Sequence, residues 1–176
     1  ALLLSVLVAA PSAGQARVDL HAGQMRWREI GPVNMSGRVS DIEAVDSDFS
    51  HVVLASASGG VFKSINAGTT WDPIFADYGS ASIGDVAIFQ PNPDILWIGT
   101  GEECIRNTVS WGDGLYKSID GGKSFVNAGL GESYAIASIV THPTDPDKVW
   151  VAAGGMAWAY GGDRGVFKTT DGGKTW

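Results

Sequence analysis

The sequence predicts an all-β fold, a β-propeller of four-stranded blades, on three observations. A hairpin-turn motif returns three times, a strand-turn-strand motif returns ahead of it, and glycine recurs at turn positions between short β-rich runs. The aligned turn stretches are Gly60-Val-Phe-Lys-Ser-Ile-Asn-Ala-Gly-Thr-Thr-Trp71, Gly114-Leu-Tyr-Lys-Ser-Ile-Asp-Gly-Gly-Lys-Ser-Phe125 and Gly165-Val-Phe-Lys-Thr-Thr-Asp-Gly-Gly-Lys-Thr-Trp176. Asn66, Asp120 and Asp171 mark a repeat of about 50 residues, which suits a four-stranded blade and is too long for leucine-rich or ankyrin units. Glycine supplies 24 of 176 residues without a collagen period, so it marks turns and not disorder.

Taken from the N-terminus, residues 1–10 form an apolar run of Leu, Val and Ala, followed by Pro11, Ser12 and small residues. That is how the hydrophobic part and cleavage site of a signal peptide read, here without the basic stretch that precedes them. The expectation is a signal peptide over 1–16, a linker over 17–24 and a secreted or periplasmic protein. A run that short does not span a bilayer, which takes roughly 20 apolar residues, and no membrane span is expected downstream. Residues 25–176 are expected to form a partial propeller. Arg26-Trp-Arg-Glu-Ile30 resembles the outer strand that follows each turn motif, yet no blade precedes it, so it reads as a strand that closes the ring. Blades are expected at about 33–75, 82–129 and 135–176 and beyond, leaving two open sheet edges on these residues alone. Each reads strand, Pro/Asp turn (46–50, 91–94, 143–147), strand, long loop, strand, hairpin turn, strand.

The chemistry of the hairpin turn explains its residues. A tight turn needs positive φ at its tip, which Gly68, Gly122 and Gly173 supply. Asn66, Asp120 or Asp171 beside it can accept backbone N–H bonds across the turn, and Ser64, Ser118 or Thr169 two places earlier can add a hydroxyl bond. Trp71, Phe125 and Trp176 follow on the next strand, where a large ring can cover the seam between units. These residues are read as structural.

Thr169-Thr-Asp-Gly-Gly-Lys-Thr-Trp176 matches the Asp-box, or BNR repeat; the first copy has Asn66 for Asp and the second Phe125 for Trp. Asp-boxes occur in sialidases, xyloglucanases, the photosystem II assembly factor family and sortilin-type receptors, so the box specifies architecture and not activity. Trp27-Arg-Glu-Ile-Gly-Pro32, Asn34-Met-Ser-Gly-Arg-Val39, Gly99-Thr-Gly-Glu102 and Arg106-Asn-Thr-Val-Ser-Trp-Gly-Asp-Gly114 resemble the opening blades of large bacterial exported proteins with sortilin-type N-terminal propellers, often labelled glycosyl hydrolases. The resemblance implies many more blades downstream.

Strand order separates the two ends of each blade. The first and third turns share one end; the second loop and the crossover to the next blade share the other. The long loops 101–113 and 154–164, with the crossover 32–38, therefore form an irregular face, where function concentrates. The candidate ligand-binding residues there are Arg38, Glu102, Arg106, Asn107, Trp111, Asp113, Trp158 and Tyr160, a mixture of charges and aromatics suited to a protein, peptide or glycan ligand. The bland alternative is that the arginines pair with Glu102 or Asp113 to hold loops, and that the aromatics cover blade edges.

A glycosidase is the competing class. Its two carboxyls should stand roughly 5 to 9.5 Å apart, whereas adjacent Glu102 and Glu103 point to opposite sides of an extended chain. Xyloglucanases place a catalytic Asp shortly before a Gly-Gly like Gly59-Gly60, where this chain has Ser56-Ala-Ser58. The arginine triad and nucleophilic Tyr of sialidases are incomplete. An assembly factor for a membrane complex, ending after about seven blades, is a third reading. The net charge of −7 with scattered basic residues argues against nucleic acid. His21, His51 and His142 form no ligand spacing, and the single Cys104 builds no disulfide framework. No metal or cofactor is expected.

Overall fold

The computed structural model describes residues 38–104 and 107–176. The expected signal peptide, linker and closing strand, residues 32–37 of the first crossover and the candidate Arg106 lie outside the described residues.

Three antiparallel sheets follow one another along the chain. The first holds β1 (Val39–Val45), β2 (Asp48–Ser56), β3 (Gly60–Ser64) and β4 (Asp72–Pro73), and the second β5 (Ile83–Ile88), β6 (Leu96–Thr100), β7 (Leu115–Ser118) and β8 (Val126–Asn127). The third holds β9 (Ile136–Thr141), β10 (Val149–Ala153) and β11 (Gly165–Thr169). Within each sheet the strands neighbour one another in sequence order, the meander that short turns allow. The first turn is tighter than the sequence suggests. Val45 pairs with Asp48 across it, so Asp46 and Ser47 alone make the loop where 46–50 was expected.

Alternation of side chains explains how the sheets stack. On the middle sheet, Val86, Ile88, Leu96, Ile98 and Tyr116 join Val45, Val53, Ala55, Val61 and Phe75 in one apolar core. Ala87, Trp97 and Leu115 point the other way, into a second core with Ile136, Ile139, Val149 and Val151. β5, β6 and β7 thus each serve two cores with their alternate residues, and β6 is buried at every position. Side chains of this size stabilise the stack by about 1.5–3 kcal/mol each.

The rings after the second and third hairpin turns close seams. Phe125 packs edge-on against Phe75 and Tyr78 at 5.2 and 5.4 Å, both from the segment that follows the first sheet. Trp176 meets Trp97 of the second sheet at 6.4 Å and donates its indole N–H to Ala128 O at 2.7 Å. Trp71 lies beside its own turn, with ring carbons 3.3 Å from where a Gly68 Cβ would stand. Two lysines add polar ties: Lys63 Nζ donates to Gly121 O at 2.8 Å, and Lys117 Nζ to Gly172 O at 3.2 Å. Each reaches from one sheet to the hairpin turn of the next.

Candidate ligand-binding face

The hairpin turns are built from their own side chains. In the second, Asp120 Oδ1 accepts the N–H groups of Lys123 and Ser124 at 3.0 and 2.9 Å, and Oδ2 accepts Ser124 Oγ at 2.6 Å. Ser118 Oγ donates to Asp120 Oδ1 and accepts the Gly122 N–H at 2.9 Å. Thr169, Asp171, Gly173 and Thr175 repeat this pattern, and Ser64, Asn66, Gly68 and Thr70 follow it with an amide in place of the acid. Hydrogen bonds led by the Ser124 and Thr175 hydroxyls hold the Asp120 and Asp171 carboxyls well below the usual carboxylate range. With their oxygens engaged in this way, the turn acids have little left to offer a ligand.

These turns sit at the end opposite the long loops. Gly121 N–H donates to Asp94 O at 2.9 Å and Gly172 N–H to Asp147 O at 3.0 Å, tying each hairpin to the short turn of its own sheet. At the other end, Gly101 N–H donates to Ser82 O, Gly112 N–H to Tyr134 O, Gly154 N–H to Ala135 O and Asp163 N–H to Glu132 O, at 2.7 to 2.9 Å. Both long loops are therefore clamped to the crossover 128–135. Gly101 (φ 89°) makes the clamp possible, since a Cβ there would lie 2.0 Å from Tyr134 O. The crossover carries strain of its own: Leu130 and Tyr134, at φ 56° and 57°, flank a turn of 3₁₀ helix at Gly131–Ser133. The Ser133 hydroxyl is buried with no hydrogen-bond partner among the described residues.

The candidate side chains divide into two groups. Arg38 forms an ion pair with Glu102, which is only 5% exposed, and its guanidinium also reaches Cys104 O at 3.4 Å. Asp113 is held by Tyr116 OH at 2.6 Å and Thr100 Oγ1 at 3.1 Å. Burial, and after it this bond to Asp113, raises the pKa of the Tyr116 hydroxyl. These charges brace the loops. The second group faces solvent: Asn107, Glu103 and the aromatics Trp111, Trp158 and Tyr160, at 55%, 64% and full exposure. The Trp111 ring stands edge-on to Tyr134 at 5.5 Å. On the same face, Glu102, Glu103, Ala137, Gly155, Met156 and Arg164 line a cleft of about 180 Å³. Arg164, absent from the sequence-based candidates, donates to Met156 O at 2.7 Å.

No family model matches the chain, and no curated protein matches it. Solved structures do. An ancestral GH74 enzyme is 26% identical with a TM-score of 0.63, covering 82% of this chain and 18% of the enzyme. The GH74 xyloglucanase of Xanthomonas campestris is 17% identical over 73% of this chain and 20% of its own, at a TM-score of 0.54. YCF48 bound to D1 peptide is 16% identical over 82% of this chain and 40% of its own, at 0.56. The chain folds as blades of a β-propeller. It spans less than half of each of these structures.

In the propeller, the first strands of successive blades lie side by side, and acids stitch them together. Val86 N–H donates to Asp41 Oδ2 at 3.2 Å, Ile88 N–H to Glu43 Oε2 at 2.6 Å, and Ile139 N–H to Asp85 Oδ2 at 2.5 Å. Burial pushes the Glu43 carboxyl up to about 7. Asp85 is pushed up to about 7 by burial and then by the charge of Asp41. Sequence reading missed this row, although acids at alternate positions of a blade's first strand, as at Asp41 and Glu43, are its signal. Among the described residues no group of three or more His, Cys, Asp or Glu could hold a metal ion, and no helix is long and apolar enough to cross a membrane.

Proposed function

We propose that the chain is part of an exported, sortilin-like Asp-box propeller whose loop face binds an extended ligand, a peptide or a glycan, without cleaving it through residues of this chain. The observation that carries the reading is the contrast on that face. Trp111, Trp158 and Tyr160 stand in solvent on loops clamped by backbone hydrogen bonds, while Glu102 and Asp113 are engaged in bracing. Rigid exposed aromatics are suited to lie against a ligand, and acids already committed to neighbours are poorly placed for proton transfer. The Asp-box turns and opening-blade motifs support the sortilin-like assignment, and the apolar run at residues 1–10 supports export.

A glycoside hydrolase is the second reading, favoured by the 26% identity to a GH74 enzyme. Against a catalytic role for these blades stands Ala57, 1% exposed, in the stretch before Gly59-Gly60 where a xyloglucanase would place an acid. In that reading the catalytic pair comes from elsewhere in the full protein.

The test is to screen the full-length protein and its Trp158→Ala variant on peptide and glycan arrays, with product analysis. Saturable binding without turnover, weakened in the variant, supports the binding reading. Glycan turnover lost in Glu102→Gln or Asp113→Asn overturns it.

A further inference from the structure

The acids between the blades do more than satisfy amides. β5 and β9 are edge strands of their sheets, so the N–H groups they turn away from their own partners have no strand to donate to. Asp41 and Glu43 take those of Val86 and Ile88, and Asp85 takes that of Ile139. The third residue of each first strand is Asp41, Asp85 and Ser138 in turn, so the first two blades bring acids to the same height. The Asp41 and Asp85 carboxyls also hydrogen-bond to each other. Such a bond needs a proton on one partner, because two carboxylates offer only acceptors. Nothing cationic offsets the row. The strands packed around it, β1, β2, β5, β6, β9 and β10, carry no lysine or arginine. Their other titratable groups are Asp48 and His51, which face each other at 3.6 Å. Asp46, in the first short turn, adds negative charge near Glu43. His142, just after β9, is engaged in its own turn, where its Nδ1 accepts the Thr144 and Asp145 N–H groups at 3.2 and 3.1 Å. Arg38, ahead of β1, is paired with Glu102.

We infer that Asp41, Glu43 and Asp85 form a proton-operated latch between the first strands of the three blades, closed while the row holds its protons and loosened when it loses them. Removing the proton from the Asp41–Asp85 bond leaves two carboxylates face to face, with the charge of Glu43 close by on the same strand as Asp41. An N–H bond strengthens toward a carboxylate, which opposes the loosening. Burial and like charge outweigh it, since Glu43 and Asp85 both sit at about 7 in spite of the N–H bonds they accept. Both groups hold protons in the folded protein that the unfolded chain releases at lower pH. The stabilisation from the latch is therefore complete at acid pH and is lost as pH rises through about 7. The latch lies between blades and does not depend on what the loop face binds.

The experiment is amide hydrogen exchange on the full-length protein at about pH 6 and about pH 8, with each rate divided by that of an unstructured peptide of the same sequence at the same pH. Protection in segments 85–89 and 137–140, which hold the Val86, Ile88 and Ile139 amides, is expected to fall about tenfold between the two, as a carboxyl titrating near 7 requires. The middle strand β6 and the hairpin turn 120–124 should change less. Asp85→Asn keeps an oxygen for the Ile139 amide and gives Asp41 a donor that no pH removes. In this variant the fall at 137–140 should vanish and protection at about pH 8 should exceed that of wild type. Infrared absorption of protonated carboxyl groups in the wild-type protein gives a second readout that needs no variant: it should be present at about pH 6 and lost by about pH 8. Unchanged protection across this range, an equal fall in β6 and the hairpin turn, a fall that Asp85→Asn leaves in place, or no protonated carboxyl at about pH 6 overturns the latch.

Discussion

Neutralising Glu43 should make the protein more stable at alkaline pH and leave it nearly unchanged at acid pH. Glu43 lies between the first strands of two blades, its oxygens accepting Ile88 N–H at 2.6 Å and Gln90 Nε2 at 3.2 Å. Burial raises its carboxyl from 4.5 to about 7, with the charges of Asp41 and Asp46 adding to the shift and the two hydrogen bonds opposing it. Between those values the folded protein holds a proton that the unfolded chain has released. Stability from this group is therefore complete below about pH 4.5 and is lost as pH rises through 7. The shift is equivalent to about 3 kcal/mol if fully expressed. Part of the carboxyl remains in water, so solvent screening cuts this to about 1–2 kcal/mol. Glu43→Gln keeps an oxygen for the Ile88 amide and removes the charge. The variant is predicted to gain about 1 kcal/mol over wild type at pH 8, a rise of about 2–4 °C in melting temperature for a large domain, and to match it near pH 5. Thermal melts of both proteins across that range measure the difference; the Glu43 charge also helps to raise the Asp85 carboxyl, so its removal relaxes Asp85 and acts in the same direction. A variant equally destabilised at both pH values, or a wild-type advantage that grows toward pH 8, would refute the argument.

Other expectations follow from the packing. Trp97→Ala removes a fully buried ring shared between the second blade, Trp176 and the Lys117 ammonium 4.8 Å from its centroid, and should cost about 3–5 kcal/mol in denaturant unfolding. Gly101→Ala forces a Cβ into Tyr134 O at positive φ; it should destabilise by about 1–3 kcal/mol and speed amide exchange at Gly112, whose N–H is also bound to Tyr134 O. Tyr160→Ala, at a fully exposed ring, should leave the melting temperature unchanged and weaken ligand binding.

Repetition made the fold legible. Three copies of one turn, each with glycine at its tip, announced hairpins whose side-chain bonds are local and need no tertiary knowledge. The separation of turns from long loops followed from strand order alone. What the sequence could not disclose depends on contacts that folding makes within and between blades. Asp113 reads as a candidate ligand contact until Tyr116 and Thr100 are seen to hold it. Arg164 reads as a loop boundary until it lines a cleft with Glu103. Asp41, Glu43 and Asp85 are ordinary strand acids until the neighbouring blade presents its N–H groups. In each case the partner lies several residues to a whole blade away, beyond the reach of local pattern.

Which end of the propeller meets its ligand decides the function. Hydrogen exchange on the full-length protein, with and without the tightest-binding peptide or glycan from the arrays, measures this directly. Slowed exchange confined to 101–104, 107–113, 128–135 and 154–164 is the predicted result. Slowing at the opposite end, in the hairpin turns 66–70, 120–124 and 171–175 with the loops unchanged, would contradict it.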